Sequence, residues 1–224
     1  MQIEAKKLTQ NLIEEIKTIL QHTQKLQLLS NDELNFRTHS ESWTILECIE
    51  HLNRYSDFYL QEIEKRIDEK MDKTKNQSIS NPIQNYVFKS GFLGNYSANS
   101  MLPVQKGIVT ISENKNPTQN HFLKIGNKMK TFKDKNPIHS GVDKRVLDTF
   151  IDDQNEFIRL LEKSQYVDLN KTKVSLTLPI LKFNLGDTFR FVINHQIRHF
   201  VQIETILSTC VLDSPKVKMV GFES

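Results

Sequence analysis

His195 and His199 stand four residues apart in the run FVINHQIRHFVQIE, a spacing that puts two imidazoles on one face of a helix, one turn apart. Neutral imidazoles so placed chelate a single divalent ion. The pair alone is weak evidence, because HxxxH arises by chance and most isolated histidines are core or surface residues. A third donor is needed. His51, inside WTILECIEHLNRY, supplies it if the two helices face one another. Three histidines on one ion leave a fourth position open for water or substrate, the arrangement of a catalytic rather than a structural site. An ion there acts as a Lewis acid or lowers the pKa of the water or thiol it holds.

Other residues near these motifs fit bland roles at least as well. Glu47 lies one turn before His51 and is either an acceptor that orients an imidazole or a solvated or capping carboxylate. Arg198 is either a binder of an anionic substrate or an arginine on an exposed face paired with an acid. Trp43 reads as a core or staple residue rather than a substrate platform. Cys48 reads as a buried core thiol, since a short thiol three residues before an imidazole does not aim at the same ion. His22, His39, His121 and His139 have no paired spacing and read as bystanders. No GxSxG elbow, P-loop, GxGxxG or HExxH occurs, which leaves serine-hydrolase, nucleotide and zincin chemistry without support.

The elements that must carry these residues are helices. Leu8, Leu12, Ile16, Ile19, Leu20, Thr23 and Leu26 recur at three and four, predicting a first helix from Ala5 to Leu29. SNDEL and HSESW offer serine or asparagine caps followed by acids, so a second helix is expected from Ser42 or Trp43 to about Lys70. Its stripe runs through Ile45, Leu46, Ile49, Leu52, Ser56, Tyr59, Ile63 and Ile67. A third helix is expected after Ser140 and Asp143, ending near Ser164. The fourth starts at NLGDTF, with Asp187 at its positive end, and runs to about Thr209. Between 71 and 137, Pro82, Gly91, Gly94, Pro103, Gly107 and Pro117 argue for a loop-rich insertion. Lysines from Lys73 to Lys135 far outnumber its acids, Asp72, Glu113 and Asp134, which makes it a solvated loop or a basic rim that attracts anions. The stretch KVSLTLPILKF suits a short strand or extended segment. The fold class is all-α, a four-helix bundle in one domain over 1–224.

With 224 residues, 38% of them hydrophobic and 25% charged, the chain is long enough to bury a core and too apolar to be disordered throughout. A net charge of +3 falls short of the clustered basicity of a nucleic-acid binder. Two cysteines, Cys48 and Cys210, make no disulfide framework. No signal peptide or membrane-length apolar run is present. The expectation is a cytoplasmic protein without nucleic-acid or membrane partners.

WTILECIEHL resembles the tryptophan, glutamate, histidine-leucine signature of the DinB-like superfamily, which includes the YfiT-like metal-dependent hydrolases and thiol S-transferases. HQIRHFVQIE resembles its last-helix signature, H-x-x-R-H-x-x-Q. Both occur in the expected order on the expected helices, and the resemblance covers the framework at both ends but not the insertion. It implies a four-helix bundle with a long crossover and a site for one divalent metal ion, zinc or nickel, on His51, His195 and His199. Glu47, Arg198 and Gln202 match further family positions as second-sphere or substrate residues. The implied function is a metal-dependent enzyme that activates a small thiol, as an S-transferase, or water, as a hydrolase. Its implied partners are a small-molecule substrate and a second copy in a homodimer. The alternative is a non-catalytic metal-binding or stress-related interaction protein.

Overall fold

Ala5, Leu8, Leu12, Ile16, Ile19, Thr23 and Leu26 form one buried stripe in the computed structural model, so the spacing that predicts the first helix also sets the face it buries. The structure describes residues 1–75, 86–103, 131–177 and 180–213. In order, these comprise β1 (Gln2–Glu4), α1 (Ala5–Leu26), α2 (Asn31–Leu34), α3 (Ile45–Lys75), β2 (Val87–Lys89), α4 (Phe92–Met101), α5 (Val146–Lys163), β3 (Lys173–Ser175), β4 (Lys182–Asn184) and α6 (Leu185–Asp213). Ser30 starts α2 with a capping box, its hydroxyl accepting from Glu33 N while the Glu33 carboxylate accepts from Ser30 N at 2.8 Å.

Around the core, α1 and α3 each pack against both α5 and α6, giving a ring in the order α1, α5, α3, α6. Contact register fixes the directions. Asn53 bonds the Val146 carbonyl, Glu64 pairs with Arg159 and Asp68 with Lys163, so α3 and α5 run parallel. His51 meets His195 while Tyr59 meets Phe191, so α3 and α6 run antiparallel. A parallel pair cannot be joined by a tight turn, and the long connection from α3 to α5 is the crossover that this geometry demands. The core fills with Ile45, Leu46, Ile49, Ile63, Phe150, Phe157 and Phe189, all essentially inaccessible.

The expected helices are therefore present, and the fold is all-α. Two local features were not expected. Within 71–137 the described residues contain a regular helix, α4, which lies along the outside of α6. Its attachment is polar: Asp187 accepts from Gly91 N at 2.7 Å and from the Ser90 hydroxyl, and Arg190 reaches Asn95 and Asn99 at 3.2 and 2.9 Å. A Cβ at Gly94 would stand 2.5 Å from Asp187 Oδ2, so only glycine permits this approach. The second is that KVSLTLPILKF forms two strands, not one: β3 and β4 pair antiparallel, Val174 opposite Phe183. Another two-stranded ribbon pairs β1 with β2, Ile3 opposite Phe88. His121 and half of the insertion's lysines lie outside the described residues.

Candidate metal centre

Residue 51 falls in the second turn of α3 because the helix is started by its own sequence. Thr44 and Glu47 form a capping box, Glu47 N donating to Thr44 Oγ1 at 3.1 Å and Thr44 N to Glu47 Oε2 at 3.0 Å. The antiparallel α6 then presents His195 and His199 opposite. His51 Nε2 lies 3.2 Å from His195 Nε2, which lies 3.1 Å from His199 Nε2. All three rings are buried, at 2%, 8% and 8% exposure. Among the described residues they form a group whose ligand atoms lie within 4.8 Å of one another.

The protons on these rings decide what the cluster fits. His51 Nδ1 is 2.7 Å from the Lys135 backbone carbonyl, which can only accept, so that nitrogen carries the proton. His199 Nδ1 is 3.0 Å from Gln202 Oε1, also an acceptor. Both rings therefore turn a bare Nε2 lone pair toward His195. His195 Nε2 has at most one proton to donate between them, so at least one close contact sets lone pair against lone pair. A shared cation removes that conflict. Zinc–nitrogen bonds of about 2.0–2.1 Å at tetrahedral angles put ligand nitrogens about 3.3–3.4 Å apart, close to the two separations here. Outward N–H groups held by a carbonyl and a carboxamide are the second-sphere pattern of metal-ligating histidines.

Electrostatics agree. Burial, together with the neighbouring Arg54 and Lys135 charges and against the carbonyl bond, lowers His51 from an ordinary value of 6.5 to about 4. Burial and the neighbouring rings push His195 and His199 well down too. All three imidazoles are neutral at physiological pH, which is the ligating form.

Aromatic rings wall the cluster. Trp43 lies nearly parallel to His199 at 5.6 Å and tilted against His51 at 4.7 Å. Its place is thus beside the site, not only at the helix start. Tyr55 packs against His51 and His195, at 5.0 and 4.8 Å between ring centres, and Phe191 is parallel to His195 at 6.4 Å.

A family model described as the DinB superfamily matches residues 14–203. The chain belongs to the DinB superfamily. The matched region takes in all three histidines, and no curated protein and no solved structure matches the chain. Of the further residues aligned with DinB motifs, Gln202 bonds an imidazole directly. Glu47 does not. Its carboxylate takes a bidentate pair from Arg37, at 2.8 and 2.5 Å, and also the backbone N–H of Thr44 and of His139. Burial alone would raise this carboxyl, but those four donors and the Arg37 charge hold it below its usual range. Its work is to start α3 and pin the segments at 37 and 139. Arg198 is not on an exposed face: it is 7% exposed, and its charge is felt by His195 and His199. Cys48 is fully buried, and burial raises its thiol far above the ordinary value. His22 is 3.4 Å from Glu204, away from the centre. His139 adopts a positive φ of 57° and contributes its backbone N–H. The Lys135 carbonyl and Tyr55 have no signature in the DinB motifs. No helix of the described residues is long and apolar enough to cross a membrane.

Proposed function

We propose that this DinB-superfamily protein is a metal-dependent enzyme in which His51, His195 and His199 hold one divalent ion, with zinc favoured over nickel for the chemistry. The observation that carries this reading is the convergence of three Nε2 atoms, two of them deprotonated by bonds on the far side of their rings. Bound there, a divalent ion supplies Lewis acidity that lowers the pKa of a small thiol or a water at the position the three imidazoles leave free.

The chain's own residues do the rest. Lys135 O and Gln202 Oε1 fix the tautomers of His51 and His199. Trp43, Tyr55 and Phe191 exclude water beside the rings, and a dry surround strengthens every charge interaction at the centre. The substrate class is a small electrophile, attacked by a low-molecular-weight thiol in transfer or by water in hydrolysis, and the working assembly is a homodimer.

A second reading is favoured by the burial of all three imidazoles, none above 8% exposed: a bound ion without catalysis, serving stability or interaction. The deciding experiment uses protein made without a histidine tag, analysed for metal and assayed with a model electrophile with and without small thiols. Turnover that requires thiol supports transfer, and turnover without it supports hydrolysis. Stoichiometric metal with no turnover in either case favours the second reading. Wild-type protein that takes up no zinc or nickel ends both.

A further inference from the structure

We infer that Lys135 is a positioning residue for the metal centre, its side chain stapling to α3 the backbone carbonyl that orients His51; the inference rests on the metal reading above. Lys135 closes a single 3₁₀ turn, Lys133–Lys135, in an irregular segment. A carbonyl in such a segment is a poor fixed point unless something holds it. Yet this one accepts the His51 Nδ1 proton at 2.7 Å across 84 positions of chain.

What holds it is on the same residue. Lys135 Nζ donates to the Arg54 carbonyl at 2.8 Å, so one lysine grips α3 at two points, one turn apart. Arg54 returns the grip through Nη1, which reaches the carbonyls of Asp134 and Asn136 at 3.4 and 3.3 Å. The far end of the segment is tied by His139 N to Glu47 at 2.6 Å. The ammonium also sits 5.9 Å from the centre of the Tyr55 ring, which itself packs on His51 and His195.

Lysine usually keeps its ammonium in water on a flexible stem, and here the side chain is only 19% exposed. Attraction to the centre cannot be the reason, because a cation beside a divalent cation is repelled. The nearby Lys135 charge already lowers the basicity of His51. The ammonium is kept in place by its 2.8 Å hydrogen bond to Arg54 O and a longer, 3.6 Å ion pair with the exposed Asp134 carboxylate, and of the two only the first ties the carbonyl of the same residue to α3. The expected insertion lysine, solvated or on an anion-attracting rim, is at this position a tether.

The test compares Lys135→Met, which keeps stem length without a donor, and Lys135→Arg, which keeps a donor. For each full-length protein, zinc affinity is measured by competition with a chromophoric chelator. The metal-free protein gives a thermal midpoint and the ¹⁵N–¹H pattern of the His51 ring. Lys135→Met is expected to weaken zinc binding about tenfold with an unchanged metal-free midpoint. Its His51 Nδ1–H signal should be weakened by solvent exchange, and Lys135→Arg should recover most of the affinity. Wild-type affinity and an unchanged ring pattern in Lys135→Met would overturn the inference. So would equal losses in both variants that track a lowered midpoint. If wild-type protein binds no zinc, the metal reading fails by itself, and the His51 ring pattern still decides whether Lys135 positions it.

Discussion

At the scale of single residues, the three imidazoles are a burden to the metal-free fold as pH falls. His51 is lowered from 6.5 to about 4 in the folded chain, so between those values the unfolded chain binds a proton that the folded chain refuses. Stability rises with pH wherever the unfolded state holds more protons. The His51 contribution is thus fully present above about pH 6.5 and is lost as pH falls toward 4. His195 and His199, shifted in the same direction, add to it. Chelator-treated wild type should therefore lose more stability than His51→Gln between pH 7 and pH 5, read as the change in urea midpoint. Parallel losses would show that His51 titrates normally. The His195–His199 pair was legible from spacing, because helical periodicity converts i and i+4 into one face, while His51 joined it through the resemblance of WTILECIEHL and not through spacing. The Lys135 carbonyl was not, since a backbone acceptor carries no residue identity and this one comes from 84 positions away. Glu47 stood in plain view as the fourth residue of TILE, a capping-box pattern that states its role.

Elements show a similar division. The stripes of α1, α3, α5 and α6 are dense in well-spaced aliphatic and aromatic residues, and those helices were readable to within a turn or so. FLGNYSANSM is not: glycine, serine and asparagine are indifferent or poor helix formers. Tertiary contacts hold α4 instead, above all the bonds from Ser90 and Gly91 to Asp187. Gly94→Ala forces a Cβ to 2.5 Å from Asp187 Oδ2 and should cost about 1–3 kcal/mol in a urea titration. A neutral or stabilising result would mean that α4 shifts freely on α6. Where α3 meets α5, Asp153 has a buried, unpartnered Oδ2. Burial, then the charge of Asp57, raises it to about 7. A raised carboxyl stabilises below its unfolded value near 3.8, and that stability is lost as pH rises through about 7. Asp153→Asn should accordingly raise the thermal midpoint more at pH 8 than at pH 5. An equal gain at both would place the Asp153 titration at its ordinary value.

On the scale of the whole molecule, the bundle direction puts α3 and α6 antiparallel, with His51 of one helix beside His195 of the other. Metal should therefore report on global stability. Zinc or nickel at about a hundred times its dissociation constant should add about 2.7 kcal/mol to wild type. It should add little to His195→Ala or His51→Ala, compared by thermal scans with and without chelator. A metal-dependent rise that persists in both variants would place the ion elsewhere. The parallel α3 and α5 also explain why the middle of the chain was hardest to read. A crossover need only be long enough to return, so its residues answer to local docking such as that of α4 and Lys135 and not to a shared periodicity.

His51 and His195 are 144 positions apart, so an ion between them turns an open chain into a closed loop. Long loops are the ones whose closure restrains an unfolded chain most. Coordination by the proposed ion would do the topological work of a disulfide in a protein whose buried Cys48 forms none. Unlike a disulfide, such a link would be undone by acid or chelator and indifferent to reducing agents.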